Sequence, residues 1–121
     1  MQIYKWFFLL ITFIGLCACI RPKERKPANL IEPLKMTQIL TDLQLADAYV
    51  AIQKSESKDI KQLSTHLQDS LFKKHQITRA QFETSMKWYA AHAEELDKIY
   101  DQVIQQLELM KEQNKTAIKH N

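Results

Sequence analysis

From Leu34 to Asn121 the chain contains neither glycine nor proline. Tight hairpin turns draw on those residues for their backbone angles, so a stretch this long without them excludes a β-sandwich or barrel. Its one glycine, Gly15, and its three prolines, Pro22, Pro27 and Pro33, all fall in the first third. Phosphate-cradling loops of the dinucleotide-binding and P-loop kinds need clustered glycines and are excluded as well. With 121 residues, 45% of them hydrophobic and 26% charged, the remainder can fold only as one small all-α domain.

The N-terminus reads as an address. Met1 to Lys5 is a short, singly charged leader, and Trp6 to Leu16 (WFFLLITFIGL) is an apolar run of 11 residues. A membrane span needs about 20 such residues, whereas a secretory signal needs about this many. Leu16-Cys17-Ala18-Cys19 follows. It resembles a bacterial lipobox, with Leu16 at −3, Ala18 at −1 and Cys19 as the residue that is lipidated; Cys17 fits worse, because Leu16 would then stand at −1. The resemblance implies a thioether-linked diacylglyceryl group on Cys19, cleavage before it, and acylation of the new amine. Residues 1–18 are thus the expected lipoprotein signal peptide. A mature chain beginning at Cys19 holds no second cysteine, which excludes a disulfide framework and a cysteine zinc site.

Residues 19–32 form the lipid anchor and a basic tether. Over residues 19–26 Arg21, Lys23, Arg25 and Lys26 against Glu24 give a charge of +3, while residues 27–121 carry 12 basic and 13 acidic side chains. Positive charge beside the anchor is attracted to anionic headgroups, though a proline-stiffened solvated linker explains the segment as well. A body that is not basic gives no footing for nucleic acid. Lipoproteins displayed at the cell surface in some lineages carry acidic runs after the cysteine; IRPKERK looks instead like a periplasm-facing protein, and Ile20 at +2 is compatible with the outer membrane.

The helical domain is expected over 33–113, with a polar tail over 114–121. Pro33 suits a first helical position. Met36, Ile39, Leu40, Leu43, Ala46 and Val50 then recur at spacings of three and four, marking a helix over 33–53. After the polar break Ser55 to Asp59, Ile60, Leu63, Leu67 and Leu71 mark a second helix over 58–75, with Phe72 beside the stripe. Thr78 is the expected N-cap of a third helix over 79–91. Gln81 would complete a capping box, and Ile77 with Phe82 a hydrophobic staple. Phe82, Met86 and Tyr89 face inward. A fourth helix over 94–112 carries Leu96, Ile99, Tyr100, Val103, Leu107 and Met110 on its stripe, with Ile104 and Leu109 off it. Around His92 either a bend or a continuous helix is permitted. Three to four helices of this size close into a small bundle or helical hairpins.

Three segments carry a family resemblance: ILTDLQLADA at 39–48, KHQITRAQF at 74–82 and SMKWYAAHAEELDKIYDQV at 85–103. With the lipobox, they resemble the short Bacteroidota lipoproteins of domain of unknown function 4296. That family implies an all-helical, lipid-anchored envelope protein and brings no activity, cofactor or catalytic residue. Where its members look to place proline after the junction histidine, this chain has Ala93.

Chemistry is sparse. His92 with Glu95, and His66 with Asp69, stand at i, i+3, but zinc needs three or four convergent ligands, and none is expected. Asp42 and His75 could bond across the first two helices, although His75 closing the second helix is the simpler role. Ser85 with a histidine and an aspartate lacks a nucleophile elbow or oxyanion loop. The sequence thus points to no enzyme and no cofactor. It points to an adaptor or interaction module with a membrane anchor and an envelope protein partner, or alternatively to a periplasmic carrier or sensor of a small apolar ligand.

Overall fold

A computed structural model describes residues 25–53 and 59–119. The signal segment, Cys17, Cys19, most of the tether and most of the polar break lie outside them. Four helices follow one another: α1 Pro33–Gln53, α2 Ile60–Lys74, α3 Arg79–Ala91 and α4 Ala93–Lys119. No strand occurs among the described residues, so the fold is all-α.

Helices α1 and α4 form the axis. Thr37 Oγ1 lies 3.0 Å from Gln102 Oε1 and Thr41 Oγ1 lies 3.0 Å from Gln106 Oε1. Both helices advance four residues between these contacts, so they run parallel with an offset of 65. Each threonine hydroxyl shares its proton with the carbonyl one turn back, Pro33 or Thr37. Both threonines are wholly buried, and such side chains belong inside only when paired. Around this polar seam pack Met36, Ile39, Leu40, Phe72, Ile77, Tyr89, Ile99 and Val103, all buried. The apolar stripe expected on α1 is therefore correct in register but deepest at its start. Leu43, Ala46 and Val50 are half-buried. On α4 Tyr100 and Met110 depart from expectation and are exposed at 39% and 38%. Leu107 on the same stripe is partly buried against the core.

Helix α2 folds back on α1, as the short connection between them requires. Asp59 caps it by accepting from the Gln62 N–H at 3.3 Å. Its C-terminus is a Schellman closure: Gln76 N–H donates to the Lys73 carbonyl at 3.1 Å and Ile77 N–H to the Phe72 carbonyl at 3.0 Å. That turn needs a left-handed residue, and Gln76 supplies it with φ of 53°. Glycine takes this angle without a Cβ clash. Gln76→Gly is therefore expected to raise stability by about 0.5–1 kcal/mol, read as a higher urea midpoint; a lower midpoint would show the angle carries no strain.

Thr78 caps α3 as expected, its hydroxyl accepting from Gln81 N–H at 3.1 Å. The reciprocal half of the capping box does not form. Gln81 Nε2 reaches away to the Asn29 carbonyl at 3.0 Å. Phe82 is half-buried rather than core, and its ring meets Phe72 at 5.1 Å.

The chain breaks between α3 and α4 at His92, with φ −123° and ψ 72°, even though Ala93 imposes no break. The histidine itself satisfies the orphaned groups. Its backbone N–H bonds Tyr89 rather than Trp88, and its ring Nδ1–H donates instead to the Trp88 carbonyl at 2.7 Å. The imidazole stacks on the Trp88 indole at 3.9 Å. Its carbonyl then starts α4 by accepting from Glu95 and Leu96, with Glu94 and Glu95 complementing the helix dipole. α4 runs on to Lys119, past the 94–112 expected. Residues 111–119 consist largely of good helix formers, and all are exposed.

Candidate functional site

Two places could do more than hold the fold together. One is a polar cleft of about 300 Å³ where α1, the end of α2 and α4 meet, lined by Gln38, Thr41, Asp42, Lys74, His75, Gln106 and Met110. Asp42 Oδ2 is its centre. It accepts from Lys74 Nζ at 2.8 Å and pairs with His75 Nε2 at 2.8 Å. His75 also closes α2 through its backbone N–H to Leu71, so the two roles weighed for it occur together. Burial raises the Asp42 carboxyl, but the hydrogen bonds and charges of Lys74 and His75 outweigh it and hold the group below its ordinary 3.8.

A carboxylate with a depressed value supports the fold above its unfolded value and stops doing so as pH falls through the folded one. Stability is thus expected to fall as pH drops below about 4, and Asp42→Asn to remove that part of the fall. Urea midpoints for both proteins at neutral pH and at pH near 3 check this; parallel losses would show that Asp42 is not responsible. The cleft holds a carboxylate, an ammonium, an imidazole and two amides. The one hydroxyl there, Thr41, is buried and already bonded, so no free nucleophile faces the His75–Asp42 pair.

The second place is apolar. Leu45, Tyr49 and Ile52, at i, i+4 and i+7 on α1, are 44%, 49% and 72% exposed. On α4 Ile104, Leu109, Met110 and Ile118 are 53%, 62%, 38% and 77% exposed. Extending the offset of 65 along the parallel pair brings Leu45 level with Met110. The apolar pattern of both helices thus continues beyond the residues that cover it. Ile104 and Leu109, expected off the main stripe, are exposed as their positions imply.

The remaining candidates separate. Ser85 is wholly buried, and its hydroxyl accepts from Ile31 N–H at 3.0 Å. One turn on, Tyr89 Oη donates to the Ile31 carbonyl at 2.7 Å. Burial, then the charges of Glu32 and Glu95, raise the Tyr89 phenol above its ordinary 10.0, which keeps the donating proton in place. His66 and Asp69 share an open trough of about 570 Å³ along α2 with Lys61, Gln62, Leu63 and Thr65. Asp69 is paired with Arg79 at 2.8 Å. His92 is committed to Trp88 and does not join Glu95. Among the described residues no three His, Cys, Asp or Glu side chains converge as metal ligands. The Trp88 indole nitrogen is buried without a hydrogen-bond partner. Cys19, the expected lipidation site, lies outside the described residues.

The contacts to Ile31 were not foreseen, nor were the Thr37–Gln102 and Thr41–Gln106 pairs. The signal was there in the spacing: Thr37 and Thr41, Gln102 and Gln106, and Ser85 and Tyr89 each stand four apart, one above the other on a helix face.

The family model described as domain of unknown function (DUF4296) matches residues 27–113. That span takes in α1 to α3, most of α4 and the segment on which Ser85 and Tyr89 close. No curated protein matches, and no solved structure does. No described helix is long and apolar enough to cross a membrane.

Proposed function

We propose that this chain, which belongs to the DUF4296 family, is a lipid-anchored, non-enzymatic adaptor of the bacterial envelope that docks a protein partner. The observation that carries the reading is the apolar surface left exposed along the α1–α4 seam, where Leu45 and Tyr49 continue the line of Thr37 and Thr41 and Met110 continues that of Gln102 and Gln106, with Leu109 beside it. A helix with a continued apolar stripe binds by laying that stripe into a partner's groove, or by offering a groove to a partner's helix. Exposed apolar area beyond scattered single residues is the usual mark of such a surface.

The anchor belongs to the same proposal. The order of charged leader, apolar run and Leu16-Cys17-Ala18-Cys19 supports lipidation at Cys19. The basic residues after it favour the periplasmic side, and Ile20 is compatible with the outer membrane. Two or three acyl chains hold a protein at a bilayer stably, where one chain alone does not. The alternative of an apolar-ligand carrier asks for an enclosed apolar chamber. The hollow along α2 is open rather than enclosed, with Lys61, Gln62, His66 and Asp69 in its lining, which gives that reading less support.

The test is crosslinking in intact cells with a C-terminal affinity tag and mass spectrometry. A discrete envelope protein captured with the wild type and lost with Cys19→Ser is expected. A folded, membrane-bound bait that captures no discrete protein would remove the adaptor reading and send the search to lipid extracts of the purified protein.

A further inference from the structure

The exposed seam differs from the rest of the body in charge as well as in apolarity. From Met36 to Gln53, α1 has no basic side chain and carries Asp42 and Asp47. The stretch of α4 level with it, 101–118, carries Asp101, Glu108 and Glu112 against Lys111 and Lys115. Lys74 from α2 pairs with Asp42 at 2.8 Å, and Lys115 with Glu112 at 2.8 Å. With Lys74 counted, a charge of −2 is left along the pair, in a body whose residues 27–121 sum to −1. The surplus lies beside the apolar residues. Gln105, Glu108, Leu109 and Glu112 stand at i, i+3, i+4 and i+7 on one face of α4, and they line an open hollow of about 370 Å³. Leu109, 62% exposed, is its apolar wall. Glu108 has no ion pair among the described residues.

We propose that the partner segment docking on the α1–α4 seam is a basic amphipathic helix. Its apolar stripe meets Leu45, Tyr49 and Leu109, and a lysine or arginine beside that stripe meets the hollow of Glu108 and Glu112. The inference rests on the adaptor reading and adds to it the chemistry of the partner. Two parallel helices offer a straight apolar line, which a third helix matches with side chains at spacings of three and four. A helix also holds a flanking cation at a fixed angle from its stripe, so the cation arrives at the carboxylates as the stripe arrives at the seam. The methylene stem of that cation covers Leu109 while its charged head stays wet. Exposed ion pairs contribute little affinity one by one. What they supply is steering of the approach and rejection of acidic helices. The same carboxylates disfavour an anionic bilayer as the occupant. A second copy of this chain would bring the same negative surplus to the seam, not the opposite charge.

The test is photocrosslinking in living cells from a photoreactive residue at Leu45, with the captured segment of the partner sequenced by mass spectrometry. That segment is expected to hold apolar residues at spacings of three and four, bordered by lysine or arginine. Glu108→Lys/Glu112→Lys should lower the adduct at least about tenfold, because like charges then meet across the contact. Glu108→Gln/Glu112→Gln should lower it by less. Glu83→Lys/Asp97→Lys shifts the net charge as far as the first pair of substitutions but lies away from the seam, and should leave the adduct unchanged. All six substituted side chains are exposed, and urea midpoints check that each variant folds. An adduct that the charge reversal at Glu108 and Glu112 leaves unchanged means that the partner is not basic: the proposal fails while docking on the seam stands. An acidic captured segment, one without the helical spacing, or a second copy of this chain overturns it equally. A folded wild type that gives no protein adduct at Leu45 removes the adaptor reading and this inference together.

Discussion

Replacing Tyr89 with alanine is expected to leave the domain largely unfolded at room temperature. Tyr89 is 1% exposed and is the largest wholly buried side chain. Its ring packs edge-on to Trp88, and its hydroxyl is the partner of the Ile31 carbonyl. Emptying a large aromatic site costs about 3–5 kcal/mol. Stranding the buried carbonyl adds about 1–3 kcal/mol. A body this small holds a total stability of only about 4–13 kcal/mol, so the sum consumes much or all of it. Tyr89→Phe separates the two effects, since it keeps the ring and loses about 1–2 kcal/mol with the hydroxyl. Circular dichroism during urea unfolding reads both. A Tyr89→Ala protein with nearly the wild-type midpoint would mean that the segment around Ile31 and α3 do not pack as described.

The second large effect concerns the anchor. Cys19→Ser should move the protein almost wholly from the membrane to the soluble fraction and abolish incorporation of labelled palmitate. Only a thiolate attacks the lipid donor readily at neutral pH. Each buried methylene contributes about 0.8 kcal/mol to membrane binding, so removing two or three chains leaves nothing comparable. The four basic tether charges, worth at most about 1 kcal/mol each beside an anionic surface, do not replace them. A Cys19→Ser protein that stays in the membrane fraction after a high-pH wash would contradict the lipobox reading. Fold and anchor are separate in this account: the domain should melt alike with and without the lipid, because Cys19 lies well before the segment that Ser85 and Tyr89 hold.

The sequence made the helices legible and left much of their pairing obscure. The boundaries of α1 and α3 follow from features that act locally, Pro33 at a helix start and Thr78 at a cap. Asp42 with His75 could be named because they lie in two of the segments that carry the family resemblance, on the first two expected helices. The parallel pairing of α1 with α4 is a different matter. It depends on Thr37 and Thr41 meeting Gln102 and Gln106 across a separation of 65 residues, and no local preference encodes that. Gln81 shows the limit from the other side. Its position three residues after Thr78 predicts a capping box, yet the side chain turns away and donates its Nε2 to the Asn29 carbonyl. The exposed Tyr100 and Met110 were misplaced because periodicity tells which residues share a face, not how far along the helix a neighbour covers it.

The break at His92 makes the same point at one residue. Ala93 favours a helix, and spacing alone allowed α3 and α4 to be continuous. The histidine ring takes the Trp88 carbonyl that a continuous helix would have given to the backbone.

The most direct test of the adaptor account is site-specific photocrosslinking in living cells. A photoreactive residue is placed in turn at Leu45, Tyr49 and Leu109 on the exposed apolar surface, and at Glu83 and Lys87 on α3 as controls. The account predicts one discrete adduct from the first three positions, absent from the controls and absent in a Cys19→Ser background. A folded, membrane-bound protein that gives no adduct at Leu45, Tyr49 and Leu109, or gives the same one at Glu83 and Lys87, would contradict docking through the α1–α4 pair.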